Sequence, residues 1–411
     1  MMFNLKSAFN IARGLVWRKN PVYVQFYITA RCNLTCKQCN IIYANADTRE
    51  ATTAEIDQIA ENLERIGVGI VLLTGGEPFL RQDLPHIIQS FTRRGIHVRT
   101  QTNGIATREQ LEAAARAGAR DISISLDSLS GDKQDFLNGS HRRSWQRALE
   151  TIALVTQTYP RRDSFAAFGT VLSPHNILEI PNIIRFATQI GWYVSLVPAH
   201  IADPAEVFNF RSYDREMLFH PDLYLVVDQV IDECLLLKRQ GYHLYDASEY
   251  LQNTRRFIRG ESITWRRRNA GRCDSPELYF AIRPNGDMQP CCDHVLRQSY
   301  PVWHENFPDW YQHKTVHRDI HPMTQRCPGC MYGSYPEISI TAHYPLTTWE
   351  RLGVFRRTRH SKPWPLTLDQ LIELAENINR QHPINHAIAA RYLEPLTRHA
   401  DATTFIPISS L

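Results

Sequence analysis

Three cysteines stand close together near the start of the chain in the pattern C-x3-C-x2-C. Cys32, Cys36 and Cys39 follow the segment Val22 to Ile28, whose alternating apolar residues predict a strand. Three thiolates at this spacing can bind three irons of a cubane four-iron four-sulfur cluster. The fourth iron is then open to a small chelating molecule, whereas a structural zinc site needs four ligands. The spacing therefore favours a reactive iron–sulfur site.

A second cysteine group lies in the last third of the chain. Its members are Cys273, Cys291, Cys292, Cys327 and Cys330. Asn285-Gly286, a strong hairpin signal, separates the first member from the next two. Four of these thiolates can close a site around zinc or around a second iron–sulfur cluster, and spacing alone does not separate the two metals.

The elements that position the first group alternate between strand and helix patterns. Six such repeats occur between residues 22 and 197. Thr52 and Glu55, for example, form a capping box before a helical apolar pattern that stops at Gly67. This alternation predicts an α/β fold with a parallel sheet and crossover helices. Functional side chains are expected where the strands end, and the loop that carries Gly75 and Gly76 follows the second predicted strand.

Two motifs together resemble the radical S-adenosylmethionine (radical SAM) superfamily. They are the segments Cys32 to Cys39 and Thr74 to Pro78, and their separation and their positions after strands also match. The resemblance implies a partial (β/α)6 TIM-like barrel, with S-adenosylmethionine (SAM) bound at the open iron of a 4Fe-4S cluster. The SAM contacts that it implies are Gly75, Gly76, Glu77, Asn103, Ser125 and Asp127.

The chain departs from this family at one position of the first motif. The residue before the third cysteine is usually aromatic and lies near the adenine of SAM, whereas this chain has Gln38. The adenine contact is therefore expected from another segment, and Leu196-Val197-Pro198 is the candidate.

The second cysteine group resembles the auxiliary-cluster domain called SPASM, in its shorter twitch form. The resemblance rests on Gly286-x4-Cys291 followed by Cys327-x2-Cys330, with no cysteine after Cys330. It implies a small C-terminal cysteine-rich domain that holds an auxiliary 4Fe-4S cluster. Its ligands would be Cys273, Cys291, Cys327 and Cys330, with Cys291 preferred to Cys292 by the spacing from the glycine. Zinc at the same residues is the alternative.

Five segments follow from these patterns. They are an N-terminal helix (1–20), the partial barrel (21–202), a helical connector (203–268), the twitch/SPASM-like domain (269–340) and a C-terminal helical extension (341–411). No uncharged apolar run reaches the ~18 residues of a membrane helix. Arg13 interrupts the apolar residues near the N-terminus, so the expected location is the cytoplasm. Apolar residues on one side of the first helix, with Lys6 and Arg13 nearby, are compatible with a weak contact with a membrane surface, whereas packing on its own domain is the more common role of such a segment.

The predicted function is that of a radical SAM oxidoreductase. SAM would be cleaved reductively to a 5′-deoxyadenosyl radical, which would abstract a hydrogen atom from a substrate in a net oxidation assisted by the auxiliary cluster. A small molecule is the first expectation for the substrate, because only about 20 residues precede the first strand. A peptide-modifying enzyme of ribosomal peptide maturation is the alternative.

The partners follow from this chemistry and from the charge of the chain. A reductant such as flavodoxin or ferredoxin is expected to supply the electron. Nucleic acid is not expected, because 46 Lys and Arg against 42 Asp and Glu leave a formal charge of only +4. A non-catalytic zinc or iron–sulfur protein is the contrasting class.

Overall fold

The computed structural model describes residues 3–203 and 210–384, and one eight-stranded sheet runs through them. The strands are β1 (Tyr23–Thr29), β2 (Ile70–Gly75), β3 (His97–Thr102), β4 (Asp121–Ser125), β5 (Phe165–Leu172), β6 (Tyr193–Pro198), β7 (Tyr279–Ile282) and β8 (Met288–Gln289). Their order across the sheet is β6-β5-β4-β3-β2-β1-β7-β8. Strands β1 to β6 pair in parallel with their neighbours, which confirms the α/β fold with a partial, open TIM-like barrel.

Helices precede, connect and follow these strands. They are α1 (Leu5–Trp17), α2 (Ile41–Ala44), α3 (Thr53–Arg65), α4 (Leu84–Thr92), α5 (Arg108–Arg116), α6 (Gly131–Leu137), α7 (Ser144–Thr158), α8 (Ile180–Gln189), α9 (Tyr224–Arg239), α10 (Ser248–Ile258), α11 (Phe307–Gln312), α12 (Thr315–Arg326), α13 (Ser334–His343), α14 (Pro345–Arg357) and α15 (Leu368–Gln381). The predicted capping box is present, with Thr52 and Glu55 at the start of α3. No helix of the described part is long and apolar enough to cross a bilayer.

The two sides of β1 show how the strand pattern builds both core and cavity. Val24, Phe26 and Ile28 are fully buried in the core between sheet and helices. The intervening Tyr23 and Gln25 point to the opposite side and line the barrel interior. Burying a Val, Ile or Phe side chain stabilises the fold by ~1.5–3 kcal/mol, so the alternation fixes which face of the strand is turned inward.

The cysteine-rich segment continues the barrel sheet. Strand β7 lies beside β1 in parallel, with Tyr279 opposite Tyr23, and β8 returns antiparallel to it after the predicted turn at Gly286. Helices α9 and α10 lie in the predicted connector. The C-terminal extension contains α14 and α15, and its part from residue 385 onward lies outside the described residues.

Candidate functional site

The glycine pair after β2 is joined closely to the backbone that leads into the first cysteine. The amide of Gly76 donates to the carbonyl of Thr29 over 2.8 Å. A Cβ atom on Gly75 would lie 2.1 Å from the Thr29 oxygen, and one on Gly76 would lie 2.1 Å from the Arg31 oxygen. Glycine is therefore required at both positions. Because Arg31 precedes Cys32, the pair fixes where the cysteine loop begins.

The three cysteines of this loop share one cavity with the glycine pair. Cys32, Cys36, Cys39, Gly75 and Gly76 all line a cavity of 160 Å³. Burial raises the pKa of the Cys39 thiol to about 11 and that of Cys36 well above its ordinary value. These protons must therefore leave when iron binds. The position, half-burial and donor chemistry of the three thiols fit an iron–sulfur cluster with one open iron.

Glu77 is fully buried and turns its carboxylate toward backbone amides. One oxygen accepts from the amide of Phe79 over 2.9 Å, and the other accepts from the amide of Asn103 over 2.7 Å. Burial raises the pKa of this carboxyl to about 7. Glu77 thus links the loop after β2 to the loop after β3, and its direct contact with SAM stays a prediction.

Two of the other predicted SAM contacts lie on the wall of the same cavity. Asn103 places its side-chain nitrogen 3.7 Å from Cys32 Sγ and 2.6 Å from Asn33 Oδ1. Ser125, at the end of β4, lies both on this wall and on that of the neighbouring barrel cavity. The structure therefore brings these two residues together with the cysteines, although their contact with SAM is untested.

Asp127, two residues beyond the end of β4, lies on the wall of the barrel cavity. Its carboxylate accepts from the amide of Val171 over 2.7 Å and from Gln38 Nε2 over 2.9 Å. Gln38 lines both cavities, and its Oε1 atom is buried without a hydrogen-bond partner. The residue that stands in place of the family's aromatic ring therefore lies between the two cavities.

Three residues that the sequence did not single out complete the cavity beside the cysteines. They are His200, Phe210 and Tyr332. His200 follows β6, stacks on the Tyr332 ring at 3.8 Å and accepts from the amide of Met331 over 3.0 Å. Burial lowers the pKa of His200 to about 3, so the ring is neutral. The position of His200 after a strand was the sequence signal that could have indicated it as a site residue. Its stacking partner, Tyr332, belongs to the distant cysteine-rich segment.

The barrel interior forms a second cavity of 220 Å³ next to the first. Gln25, Gln101 and Ser123 give its wall uncharged polar groups. The two cavities share several wall residues, among them Gln101 and Ser125. A molecule in the barrel cavity would therefore lie beside one held near the cysteines. Of the predicted adenine segment, Val197 and Pro198 line the cavity near the cysteines, whereas Leu196 is buried in the core.

The second cysteine group is held by hydrogen bonds around Cys327. The Cys273 thiol donates to Cys327, and this bond and that from His294 lower the Cys327 pKa to about 4. Arg266 donates to the Cys327 carbonyl over 2.8 Å, and Trp265 donates to the Cys330 carbonyl over 3.3 Å. Within residues 3–203 and 210–384, no three His, Cys, Asp or Glu side chains lie together as ligands of one metal ion, so cluster binding by either cysteine group stays a prediction.

The adjacent cysteines of this group point to different surroundings. Cys292 is 4% exposed and lines the barrel cavity together with Tyr27 and Tyr332. Cys291 is absent from that wall, and its sulfur accepts from the backbone amides of Asp293 and His294. The preference for Cys291 as a ligand, made from its spacing from Gly286, stays a prediction.

Residues 26–187 match the model of the radical SAM superfamily. The chain contains a radical SAM domain. This domain includes Cys32 to Cys39 and the glycine pair and ends within α8, so the second cysteine group lies outside it.

Relatives of this radical SAM domain act on different substrates according to their names. The chain is 28% identical over 201 residues to AdoMet-dependent heme synthase of Methanosarcina barkeri, covering 47% of this chain and 56% of the relative. It is 28% identical over 223 residues to PqqA peptide cyclase of Bradyrhizobium diazoefficiens, covering 54% of each chain. The match thus spans about half the length of these relatives.

A solved structure extends the likeness beyond the radical SAM domain. Streptococcus suis SuiB bound to the precursor peptide SuiA superposes with a TM-score of 0.55 at 16% identity, covering 76% of this chain and 70% of SuiB. At this identity the likeness shows a common fold.

Proposed function

We propose that this chain is a radical SAM enzyme in which Cys32, Cys36 and Cys39 hold a 4Fe-4S cluster. The observation that carries the proposal is the single cavity shared by these cysteines and by Gly75 and Gly76, within a radical SAM domain. When bound, the cluster supplies the electron that cleaves SAM to methionine and a 5′-deoxyadenosyl radical, and this radical abstracts hydrogen from a substrate.

The residues of this chain would bind and orient SAM. The glycine pair exposes backbone to the amino end of the ligand, since no side chain stands between. Asn103 presents a side-chain amide beside Cys32. Val197 and Pro198 supply an apolar wall for the adenine, which Gln38 does not. The barrel would exclude water from the reacting atoms and hold the substrate in the adjoining cavity.

A peptide is the substrate class that we infer, with ribosomal peptide maturation as the setting. Two comparisons support it, because one relative is named a peptide cyclase and the similar SuiB structure contains a precursor peptide. The barrel cavity supports it through Gln25, Gln101 and Ser123, whose neutral donors and acceptors suit peptide bonds. A small-molecule substrate, the first expectation from the sequence, has the heme synthase as its support.

The second cysteine group is proposed to hold an auxiliary 4Fe-4S cluster, with Cys273, Cys291, Cys327 and Cys330 as ligands. Support comes from the hydrogen bond between Cys273 and Cys327, two of these four thiols, and from the barrel cavity wall, which includes Cys292 but not Cys291. Such a cluster would take up an electron from the substrate radical, making the reaction a net oxidation. Zinc at these residues is the competing assignment, and metal analysis separates the two.

The remaining proposals concern partners and location. A flavodoxin or ferredoxin would deliver the electron, and the cytoplasm would supply both. Contact of α1 with a membrane surface is supported by Leu5, Phe9 and Val16, which are each more than half exposed.

The test of the proposed chemistry is formation of 5′-deoxyadenosine. Anaerobically reconstituted protein with dithionite and SAM should form it slowly, and Cys36→Ala should form none. The matched control is Cys234→Ala, which removes a buried thiol of α9 outside both cysteine groups and should retain formation. If wild-type protein with its full iron content forms no 5′-deoxyadenosine with any reductant, the proposal is wrong.

Formation of 5′-deoxyadenosine also serves as the readout for the substrate class. Adding the peptide fraction of a lysate should raise 5′-deoxyadenosine formation above the basal rate, and protease treatment of that fraction should abolish the increase. An increase that survives protease treatment would instead identify a small molecule.

A further inference from the structure

Helix α1 buries small and polar residues, packs Ile11 and Leu15 partly against the core and leaves four other apolar residues toward solvent. Its buried residues are Ser7, Asn10 and Gly14, and Ser7 Oγ donates to the Gly95 carbonyl over 2.7 Å. The exposed apolar residues are Leu5, Phe9, Val16 and Trp17, each at least 61% exposed. A helix on a protein surface ordinarily keeps its apolar residues on the buried side, so these four exposed side chains indicate an apolar partner for this face.

Helix α14 also leaves an apolar stripe exposed. It buries Thr347, Arg351 and Val354, whereas Leu346, Trp349 and Leu352 recur every three residues on its exposed side. The rings of Phe3 and Phe355 lie 5.3 Å apart and join the start of α1 to α14. The two apolar stripes therefore belong to neighbouring parts of the surface, here called the α1–α14 face.

Basic residues accompany this apolar surface. Residues 3–20 contain Lys6, Arg13, Arg18 and Lys19 and no acidic residue. Arg356 and Arg357 end α14. Exposed apolar and Trp side chains together with cationic ones are typical of helices that rest on an anionic membrane surface. A bilayer surface therefore suits the α1–α14 face in both polarity and charge.

An apolar cavity of 480 Å³ lies between these helices and the N-terminal ends of the strands. Its walls include Ala8, Ala12, Leu15, Ile338, Leu352 and Phe355. Protein interiors are ordinarily packed without voids of this size, whereas ligand pockets have volumes of ~300–1,000 Å³. The walls suit a hydrocarbon chain, and α1 and α14 give the cavity its exposed border.

The deep end of the cavity is polar. Arg99, Ser195 and Tyr245 lie on the wall that separates it from the barrel cavity. Arg99 Nε is 3.4 Å from Asp121 and Nη1 is 3.4 Å from the Tyr245 hydroxyl, whereas Nη2 is buried without a hydrogen-bond partner.

The other charges at this end are already engaged. Glu337 and Arg351 pair with each other, and the Asp121 carboxylate also accepts from His97. The Arg99 charge is paired with Asp121, but Nη2 remains a buried donor without a hydrogen-bond partner, so a carboxylate or phosphate oxygen that accepts from Nη2 would be stabilising.

We propose that this cavity binds a single-chain anionic amphiphile taken from a membrane. The head group lies at Arg99, the chain lies between α1, α13 and α14, and the α1–α14 face rests on the anionic bilayer. The proposal extends the proposed contact of α1 with a membrane and does not depend on SAM cleavage. A fatty acid and a polyprenyl phosphate share this chemistry.

Vesicle sedimentation tests the membrane part. Wild-type protein should sediment with phosphatidylglycerol vesicles and much less with phosphatidylcholine vesicles. The Trp17→Glu/Trp349→Glu double variant should bind phosphatidylglycerol vesicles ~10-fold more weakly. Leu225→Glu is the matched control, because Leu225 is 71% exposed on α9 and should not touch the bilayer. The proposed membrane contact is wrong if wild-type protein does not sediment with phosphatidylglycerol vesicles, or if Leu225→Glu weakens vesicle binding as much as the double variant does.

Binding of the fluorescent fatty acid cis-parinarate tests the cavity. Its emission should rise on addition of wild-type protein. The variants Ala12→Phe and Thr341→Phe, at two residues of the cavity wall, should fill the cavity and each weaken binding ~10-fold. Palmitate and farnesyl phosphate, added separately as competitors, distinguish a carboxylate from a phosphate head group. If emission does not rise, or if both filled variants bind as wild type does, the cavity has no such ligand.

The head-group position is tested with Arg99→Met. This change should weaken competition by dodecanoate ~10-fold and leave competition by dodecanol unchanged, because only the charged head needs the guanidinium. Equal effects on both competitors contradict the proposed orientation. Measuring 5′-deoxyadenosine formation on the same preparations keeps the two proposals separate, since its loss bears on SAM chemistry alone.

Discussion

Gln38 donates a hydrogen bond from Nε2 to a carboxylate oxygen of Asp127 over 2.9 Å. The other oxygen of Asp127 accepts from the amide of Val171 over 2.7 Å. Burial nonetheless raises the pKa of this carboxyl to about 7, because loss of hydration disfavours the charged form by more than these two bonds favour it. The radical SAM superfamily usually has an aromatic residue before the third cysteine, whereas this chain has Gln38, which donates to the buried carboxylate of Asp127.

The raised pKa of Asp127 predicts a pH-dependent stability of the iron-free protein. Folding favours the protonated carboxyl, so its stabilisation is complete below the ordinary pKa of 3.8 and is lost as the pH rises through about 7. The free energy of unfolding should fall over this window by at most about 4 kcal/mol. Asp127→Asn should flatten the slope, measured as melting temperature from pH 5 to pH 8.

In Asp127→Asn the dependence of stability on pH should become weaker but should not disappear. Burial also raises the pKa of Glu77 and that of Asp246 to about 7, so both contribute in the same direction. Asp222→Asn serves as the control, because the Asp222 side chain is 71% exposed. An unchanged slope in Asp127→Asn would show that this carboxyl is already ionised at low pH.

Removal of the donor from this pair should have a pH-dependent effect. Gln38→Leu should lower the free energy of unfolding by ~1–3 kcal/mol at pH 8, where the ionised Asp127 loses a hydrogen bond. At pH 5 the loss should be smaller, because the protonated carboxyl needs the donor less. Denaturant unfolding of the iron-free protein at both pH values measures the difference. A loss that is equal at both would mean that Gln38 acts through packing alone.

The glycine pair should be sensitive to a single methyl group. Gly76→Ala places a Cβ atom 2.1 Å from the Arg31 carbonyl oxygen, so the cysteine loop must shift. We expect the free energy of unfolding to fall by ~1–3 kcal/mol and the iron bound at the first group to fall with it. Iron and sulfide analysis after reconstitution measures the second effect.

Gly353→Ala is the matched control for this change. Gly353 lies within α14, and a Cβ atom there meets no atom within 4 Å. Replacing a helical glycine by alanine should stabilise the protein by ~0.5–1 kcal/mol. Normal iron content in Gly76→Ala would contradict the inference that the pair fixes the loop.

Local patterns predicted the parts of the fold that depend on neighbouring residues. Thr52 and Glu55 begin α3 as expected, because a capping box forms within one turn. The parallel sheet followed from the alternation of elements. The placement of β7 beside β1 could not be predicted, because Tyr279 and Tyr23 are paired by packing between segments far apart in the chain.

Local patterns also predicted only part of the site, because some of its contacts join segments far apart in the chain. The two motifs predicted that the cysteines and the glycine pair lie close together, because they follow neighbouring parallel strands. The direction of the Glu77 carboxylate toward Phe79 and Asn103 depends on how the loops fold over each other. The stacking of His200 on Tyr332 joins the end of β6 to the cysteine-rich segment, and no local pattern encodes it.

The two cysteine groups predict the iron content of the protein. Reconstituted wild-type protein should hold about eight irons and eight sulfides, from two cubane clusters. Replacing Cys32, Cys36 and Cys39 by Ala should leave about four of each, because the second group is separate in the fold. A wild-type preparation with about four irons and one tightly bound zinc would contradict the auxiliary cluster and support zinc.

The adjacent residues Cys291 and Cys292 should differ in their effect on this content. Cys291→Ala should lose the iron of the second group, because its spacing from Gly286 makes it the proposed ligand. Cys292→Ala should keep that iron, because its thiol lines the barrel cavity. The two variants are each other's control, since the change is the same and the backbone position differs by one residue. Iron content and the electron paramagnetic resonance spectrum of the reduced protein measure the outcome, and the opposite result would make Cys292 the ligand despite the spacing from Gly286.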